Sequence, residues 1–198
     1  MGPRRVLSAP GPAPLSEGKT QDMSDTIVFD TRASAETMAA TLFGAGITVV
    51  SASYTGDARS SATFAGGFAG ADSAVPAEAG VILSTGRVTD FAGSNDRPNT
   101  STRTAGVDGD PILNAVAGVR TYDGAIFESR FIPVGDTLTM QLTFGSEEYL
   151  EWVDAGFNDA VAITVNGVLA ELSIGDGAVS IDTINTTRNY NLFRSNED

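Results

Sequence analysis

The sequence contains no histidine and no cysteine, and its only lysine is Lys19. Without these side chains a Ser-His-Asp triad, a cysteine nucleophile and an imidazole or thiolate zinc site are all excluded. Because Lys19 precedes the folded domain predicted below, Schiff-base chemistry within that domain is excluded as well. The chemistry that remains is that of carboxylates, hydroxyls and cations coordinated by oxygen, such as Ca²⁺.

Positive charge is scarce. The 198 residues include 12 Lys and Arg against 25 Asp and Glu, which gives a formal net charge of -13. A surface this negative repels phosphate backbones and attracts divalent cations, so the sequence predicts a divalent cation as partner and no nucleic acid. No run of about 18 apolar residues is present, so no membrane insertion is predicted.

The composition favours strands and turns over long helices. Hydrophobic residues make up 41% of the chain, charged residues only 19%, and 22 residues are glycine. A helical bundle would carry more leucine, lysine and glutamate. We therefore predict a mostly β domain, a jelly-roll-like antiparallel β-sandwich, with one short N-terminal helix over 34–43 that begins at Ser34.

The N-terminal segment differs from the rest. Residues 1–24 contain several prolines and no periodic apolar pattern, which predicts a disordered leader. No apolar run of 7–15 residues follows Arg5, so a secretory signal peptide is not indicated. The folded domain is predicted over residues 25–198.

Local patterns predict individual elements of this domain. Asn166-Gly167 between two apolar runs indicates a hairpin with a type I′ turn. Apolar and polar residues alternate along Asp136–Phe144, which is typical of a half-buried strand. Residues 90–124 are long, polar and irregular, apart from a helical turn at Ile112–Val119. A polar excursion of this length in a compact domain is usually functional or disordered.

The densest group of acidic residues follows the predicted strand and contains no basic residue. Crowded carboxylates repel one another unless water or a cation screens them. Since Ca²⁺ takes ~6–8 oxygen ligands, we predict a Ca²⁺ site here. Its predicted ligands are Glu147, Glu148, Asn158 and Asp159.

Two other interpretations of these carboxylates stay open. They can form a solvated acidic turn with no ligand. They can also supply one carboxyl group of a glycoside hydrolase pair, with Asp90 or Asp110 as its partner, because such enzymes place two carboxyl groups ~5–10 Å apart. Glu147 and Glu148 are neighbours in sequence and would point to opposite faces of a strand, so no catalytic residue is assigned.

Two aromatic residues, Tyr149 and Trp152, lie beside the same acids. An aromatic ring next to carboxylates can stack on a sugar while the oxygens bind its hydroxyls, which makes both residues candidate ligand-binding residues. The alternative is that both rings close the end of the sandwich as part of its core.

The order of short motifs resembles the choice-of-anchor L domain family. The motifs are Val50–Gly56, Gly80–Gly86, Asp123–Glu128, Phe131–Leu138, Phe144-Gly145-Ser146-Glu147-Glu148-Tyr149 and Phe157-Asn158-Asp159. The resemblance spans residues 25–198 and implies a bacterial secreted or cell-surface protein with no established reaction. It also implies that the domain continues past Asp198, so the domain is expected to be incomplete at its C-terminal end.

Together these observations predict a non-enzymatic secreted or cell-surface binding or adhesion module, assisted by Ca²⁺. Its expected partner is a cell-surface glycan or protein. The alternatives are a carbohydrate-binding module and a carboxylate-dependent glycoside hydrolase.

Overall fold

A computed structural model describes residues 27–66, 77–91, 101–170, 175 and 177–195, and the predicted leader over 1–24 lies outside this range. The described residues are mostly antiparallel β-structure with short helices, as predicted. The elements are β1 Val28–Asp30, α1 Ala35–Leu42, β2 Ile47–Thr55, β3 Ser61–Ala65, β4 Ala79–Leu83, α2 Pro111–Ala117, β5 Ile126–Pro133, β6 Ala160–Val161, β7 Thr164–Val165, β8 Val168–Leu169 and β9 Val179–Ser180. A 3₁₀ turn covers Val88–Phe91.

The first sheet has the order β1-β3-β4, and all its pairs are antiparallel. The predicted N-terminal helix, α1, contacts β2, β3 and β4. The hydroxyl of Ser34 accepts a hydrogen bond from the backbone N–H of Thr37 at 3.2 Å and so satisfies one of the free donors at the start of the helix. Met38 and Ala39 are 1% and 0% exposed. Burial of this face holds the short helix in place, since a helix of this length is marginal alone.

The second sheet pairs β2 with β5 from Ile47↔Pro133 to Thr55↔Ile126. Its register shifts between Val49 and Ser51, and Val50 at this irregularity is 62% exposed. An extra residue in one strand bends that strand and leaves one residue without a cross-strand partner. The Phe131 ring on β5 contacts the Phe43 ring after α1, with 5.0 Å between the ring centroids.

The turn after β2 is held by the carboxylate of Asp57. Asp57 Oδ1 accepts from the backbone N–H and the Nε–H of Arg59, both at 2.9 Å. Asp57 Oδ2 accepts from Nη2 of Arg59 and from the backbone N–H of Ala105, both at 2.8 Å. The Arg59 guanidinium and these backbone N–H groups hold the pKa of Asp57 well below its usual range. This contact, which we call the Asp57 clamp, fixes the segment after residue 100 against the turn.

Helix α2 lies within the predicted polar excursion, where a helical turn was predicted. Its Asp110 carboxylate accepts from the backbone N–H groups of Ile112 and Leu113, at 2.9 and 3.0 Å. Pro111 occupies the first turn, and Gly118 ends the helix with a φ of 72°. A polar cap before a proline and a left-handed glycine at the end are strong local helix signals. Helix α2 contacts β6 and β9, and so supports the acidic region described below.

The Asn166-Gly167 hairpin is confirmed. Strands β7 and β8 pair as Thr164↔Leu169 and Val165↔Val168. Asn166 and Gly167 have φ values of 53° and 78°, as a type I′ turn requires.

The strand predicted after Asp136 is not supported. The Asp136–Phe144 run forms no ladder with a partner among the described residues, and Leu138, Met140 and Leu142 are 40%, 42% and 43% exposed. Alternation of apolar residues marks the face of a strand but does not supply the neighbour that buries it. The apolar run before Asn166 forms two short strands, β6 and β7. The antiparallel sheets are compatible with a sandwich, which stays a prediction.

Candidate functional site

The predicted site residues lie in one region of the chain. Glu147, Glu148, Tyr149 and Trp152 occupy consecutive turns over 147–156, and Asn158 and Asp159 directly precede β6. The backbone N–H of Ile181, just after β9, donates to the backbone oxygen of Asp159 at 3.1 Å. The acidic turns are therefore packed against the segment that begins at Ile181.

Ser146 joins two of the predicted carboxylates. Its hydroxyl donates to Oδ2 of Asp159 at 2.8 Å and accepts from the backbone N–H of Glu148 at 3.1 Å. The hydroxyl thus orients Asp159 and fixes the turn that carries Glu148. A serine two residues before a turn amide is a recognisable local signal, although the sequence analysis assigned Ser146 no role.

Glu148 is the most perturbed carboxyl group of the site. Its Oε2 is buried and has no hydrogen-bond partner among the described residues. Burial, the charge of Asp159 and the charge of Glu147 together raise the pKa of Glu148 to about 7. Near neutral pH this side chain is divided between its protonated and ionised forms, and the ionised form lacks a compensating positive charge. The electrostatic coupling shows that Glu147, Glu148 and Asp159 lie close enough to interact.

The side chain of Asn158 is occupied by protein partners. Its Nδ2 donates to the backbone oxygen of Ala117 at 2.7 Å, and its Oδ1 accepts from the backbone N–H of Asp182 at 3.3 Å. Asn158 therefore ties the end of α2 to the segment after β9. Its assignment as a cation ligand stays a prediction, and coordination through Oδ1 would have to share or replace the Asp182 contact.

Tyr149 is held inside the fold. Its hydroxyl donates to the backbone oxygen of Ile184 at 2.6 Å. Its ring packs against Phe144 and Phe193, with centroids 6.5 and 5.0 Å away. Burial and the charge of Asp159 raise the pKa of Tyr149 to about 12. These contacts favour the interpretation in which the Tyr149 ring is part of the core and closes one end of the predicted sandwich.

Trp152 has a different environment. It is half-buried, and its ring meets Phe157 edge to face with 5.1 Å between centroids. Phe157 is 55% exposed. Phe157 belongs to one of the motifs that carry the family resemblance, but it was not among the candidate ligand-binding residues. We call Trp152 and Phe157 the aromatic pair, and Phe157 is its solvent-exposed member.

One arginine reaches the acidic turns, contrary to the expectation that they lack a basic partner. Nη1 of Arg188 lies 3.2 Å from Oδ1 of Asp154 and also donates to the backbone oxygen of Asp182 at 2.9 Å. The arginine is distant in sequence, so the pattern of the acidic stretch could not reveal it. Among the described residues no salt bridge reaches Glu147, Glu148 or Asp159.

The carboxylates do not form a complete metal centre by themselves. Within the described ranges, no group of three or more His, Cys, Asp or Glu side chains is arranged to hold a metal ion. A Ca²⁺ ion at Glu148 and Asp159 would therefore need hydroxyl, carbonyl or water oxygens to reach its usual coordination number. No helix in the described part of the chain is long and apolar enough to cross a membrane.

The fold and this region define a mostly β domain with an acidic, partly unpaired turn. Residues 26–198 match the choice-of-anchor L domain family, and the chain belongs to that family. This membership confirms the resemblance seen in the sequence motifs and implies a cell-surface or exported protein. No curated protein and no solved structure matches the chain.

Proposed function

We propose that this domain is a non-enzymatic binding or adhesion module of a secreted or cell-surface protein, and that Ca²⁺ binds at Glu148 and Asp159. Membership of a cell-surface family supports the proposed location, which is outside the cell or on its surface. The contact with a cell-surface glycan or protein and the role of the cation go beyond what the family implies.

The observation that carries the cation proposal is the buried, unpartnered Oε2 of Glu148. A buried polar atom without a partner is uncommon and indicates strain, chemistry or a missing ion or water. The neighbouring charges of Asp159 and Glu147 disfavour the ionised form of Glu148 and favour a cation beside it. Ca²⁺ matches the all-oxygen donor set of a domain that lacks histidine and cysteine.

Calorimetric titration with CaCl₂ at pH 8, after treatment with a chelator, tests this proposal. We expect saturable binding by the unmodified protein and at least tenfold weaker binding by Glu148→Gln, because the variant removes one anionic ligand. Glu151→Gln is the matched control, since it removes an exposed carboxylate from the same turns. Absence of Ca²⁺ binding at millimolar concentration, or equal binding by Glu148→Gln, would contradict the cation proposal.

A carbohydrate-binding role is a second candidate, and the observation that favours it is the aromatic pair with its exposed Phe157. Aromatic rings that stack on sugars must be reachable from solvent. Phe157 meets this condition, whereas the hydroxyl of Tyr149 is already bonded within the fold.

A glycan array tests whether the aromatic pair or Tyr149 binds a sugar. It compares the unmodified domain with Trp152→Ala and Tyr149→Phe. The carbohydrate proposal expects a signal that Trp152→Ala abolishes and Tyr149→Phe retains. A signal that survives Trp152→Ala would rule out the aromatic pair as its platform. Hydrolysis of any bound glycan that stops in Glu148→Gln would overturn the non-enzymatic assignment and favour the hydrolase alternative.

A further inference from the structure

At the tip of the β7–β8 hairpin an asparagine is followed by glycine, the residue with the smallest side chain. Asn166-Gly167 is the only Asn-Gly pair in the sequence, and both residues are exposed. A β-carbon built on Gly167 would meet no atom within 4 Å. Gly167 therefore adds no side-chain hindrance to an approach from the side chain before it.

The groups at this tip are also free of hydrogen bonds among the described residues. The N–H of Gly167 donates to no backbone oxygen there, and the amide of Asn166 has no partner. Other asparagine amides are held firmly. Oδ1 of Asn114 accepts from the backbone N–H of Thr121 at 2.7 Å. Asn185 is 1% exposed and donates to the backbone oxygen of Ile181 at 2.9 Å.

We infer that Asn166 is a site of spontaneous deamidation through a cyclic imide. The Gly167 nitrogen gives its proton to water or hydroxide and attacks Cγ of Asn166, forming a new C–N bond. The bond from Cγ to the side-chain nitrogen breaks, and that nitrogen leaves as ammonia. Water then adds to either carbonyl of the five-membered imide and opens it to aspartate or to isoaspartate. Atoms balance with water as the only co-reactant, and no oxidant or reductant is required.

The small size of the hairpin makes the required motion accessible. The attack needs Asn166 to leave the left-handed turn. In the described part of the hairpin, the arms are joined by the two residue pairs of β7 and β8 and by a hydrogen bond from the N–H of Ala170 to the backbone oxygen of Ile163 at 2.8 Å. Val168 is 69% exposed, so opening the tip uncovers little additional apolar surface. Short, exposed segments with few buried contacts open at low free-energy cost. The isoaspartate product adds one methylene to the main chain and therefore breaks the register of Val165↔Val168.

Peptide mapping by mass spectrometry, after incubation of the folded protein at pH 8 and 37 °C, tests the inference. We expect the peptide that contains residue 166 to gain about one mass unit and to contain isoaspartate. The peptides with Asn114 and Asn185 should remain unchanged in the same sample. The rate at residue 166 should lie within about tenfold of the rate in denaturant, because the folded hairpin protects it little.

Asn166→Gln provides the matched variant, because its longer side chain keeps the amide but would have to close a slower six-membered ring. We expect this variant to show no mass change at residue 166 over the same period. A rate in the folded protein more than about a hundredfold below the denatured rate would overturn the inference, since the fold would then protect the site. Formation of aspartate without isoaspartate would also overturn it, because the cyclic imide opens in both directions.

Discussion

Asp57 and Glu148 both carry partly buried carboxyl groups, yet their environments act in opposite directions. The Asp57 side chain is 10% exposed and accepts four hydrogen bonds, two of them from the Arg59 guanidinium. Glu148 buries one oxygen that has no hydrogen-bond partner in the described part of the chain, and it faces two further acidic residues. The pKa of Asp57 is lowered, whereas the pKa of Glu148 is raised.

This difference separates a structural carboxylate from a candidate ligand-binding one. Donors from Arg59 and Ala105 stabilise the charge of Asp57, which in turn holds two segments together. The surroundings of Glu148 disfavour its charge, so a cation or a proton must compensate it. Because no partner reaches Glu148 Oε2 among the described residues, we propose this group as the place where a cation binds.

The largest expected effect is on the Asp57 clamp. Asp57→Ala removes the acceptor for four donors and leaves Arg59 and the Ala105 N–H without it, so we expect the melting temperature to fall by several degrees. Asp136→Asn is the control, because Asp136 is exposed and, among the described residues, accepts a side-chain hydrogen bond only from the neighbouring Thr137 hydroxyl at 3.1 Å. If Asp57→Ala had the same melting temperature as the unmodified protein, the clamp would not stabilise the fold.

A smaller effect of opposite sign is expected at Glu148 in the absence of Ca²⁺. The pKa of Glu148 is about 7 in the folded state and 4.5 in the unfolded reference. Its contribution to stability is therefore full below pH 4.5 and is lost as the pH rises through about 7. Glu148→Gln should remove this loss and stabilise the domain at pH 8 by about 1 kcal/mol, a value reduced for solvent screening.

Thermal melts at pH 5 and pH 8 in chelator measure this prediction. The stabilisation by Glu148→Gln should appear at pH 8 and nearly vanish at pH 5, and Glu151→Gln should show no comparable pH-dependent gain. A destabilised Glu148→Gln at pH 8 would indicate that the carboxylate has protein donors, as Asp57 does.

The smallest effect is expected at Arg188. Its ion pair with Asp154 joins side chains that are 56% and 57% exposed. Exposed pairs contribute little, so Arg188→Gln should cost at most about 0.5 kcal/mol in chemical denaturation. Ca²⁺ affinity should stay unchanged, because the arginine serves Asp154 and not Glu148. A large change in affinity would place Arg188 in the cation site.

Local features of the fold could be predicted, whereas long-range ones could not. Ser34 before an apolar stripe predicts α1, and Asn166-Gly167 predicts its hairpin, because neighbouring residues supply the whole signal. The Asp57 clamp joins residues 48 positions apart, so no local sequence pattern reveals it. Strands also depend on distant partners. For this reason the alternation of apolar and polar residues after Asp136 was not enough to predict a paired strand.

The candidate site shows the same limit. Acidic crowding predicts that Glu147, Glu148 and Asp159 interact, and the electrostatic coupling agrees. The pattern could not show which carboxyl group is buried or that Arg188 reaches Asp154. It also could not show that the Tyr149 hydroxyl is bonded within the fold, since that depends on the segment after β9.

The most direct measurement is an NMR titration of the Glu148 side-chain carboxyl carbon, first in chelator and then in saturating CaCl₂. In chelator we expect a pKa near 7, set by burial and by the neighbouring carboxylates. With Ca²⁺ the same group should titrate at least one unit lower, because the cation stabilises the ionised form. A pKa at the ordinary glutamate value in chelator, or one that Ca²⁺ leaves unchanged, would contradict the account.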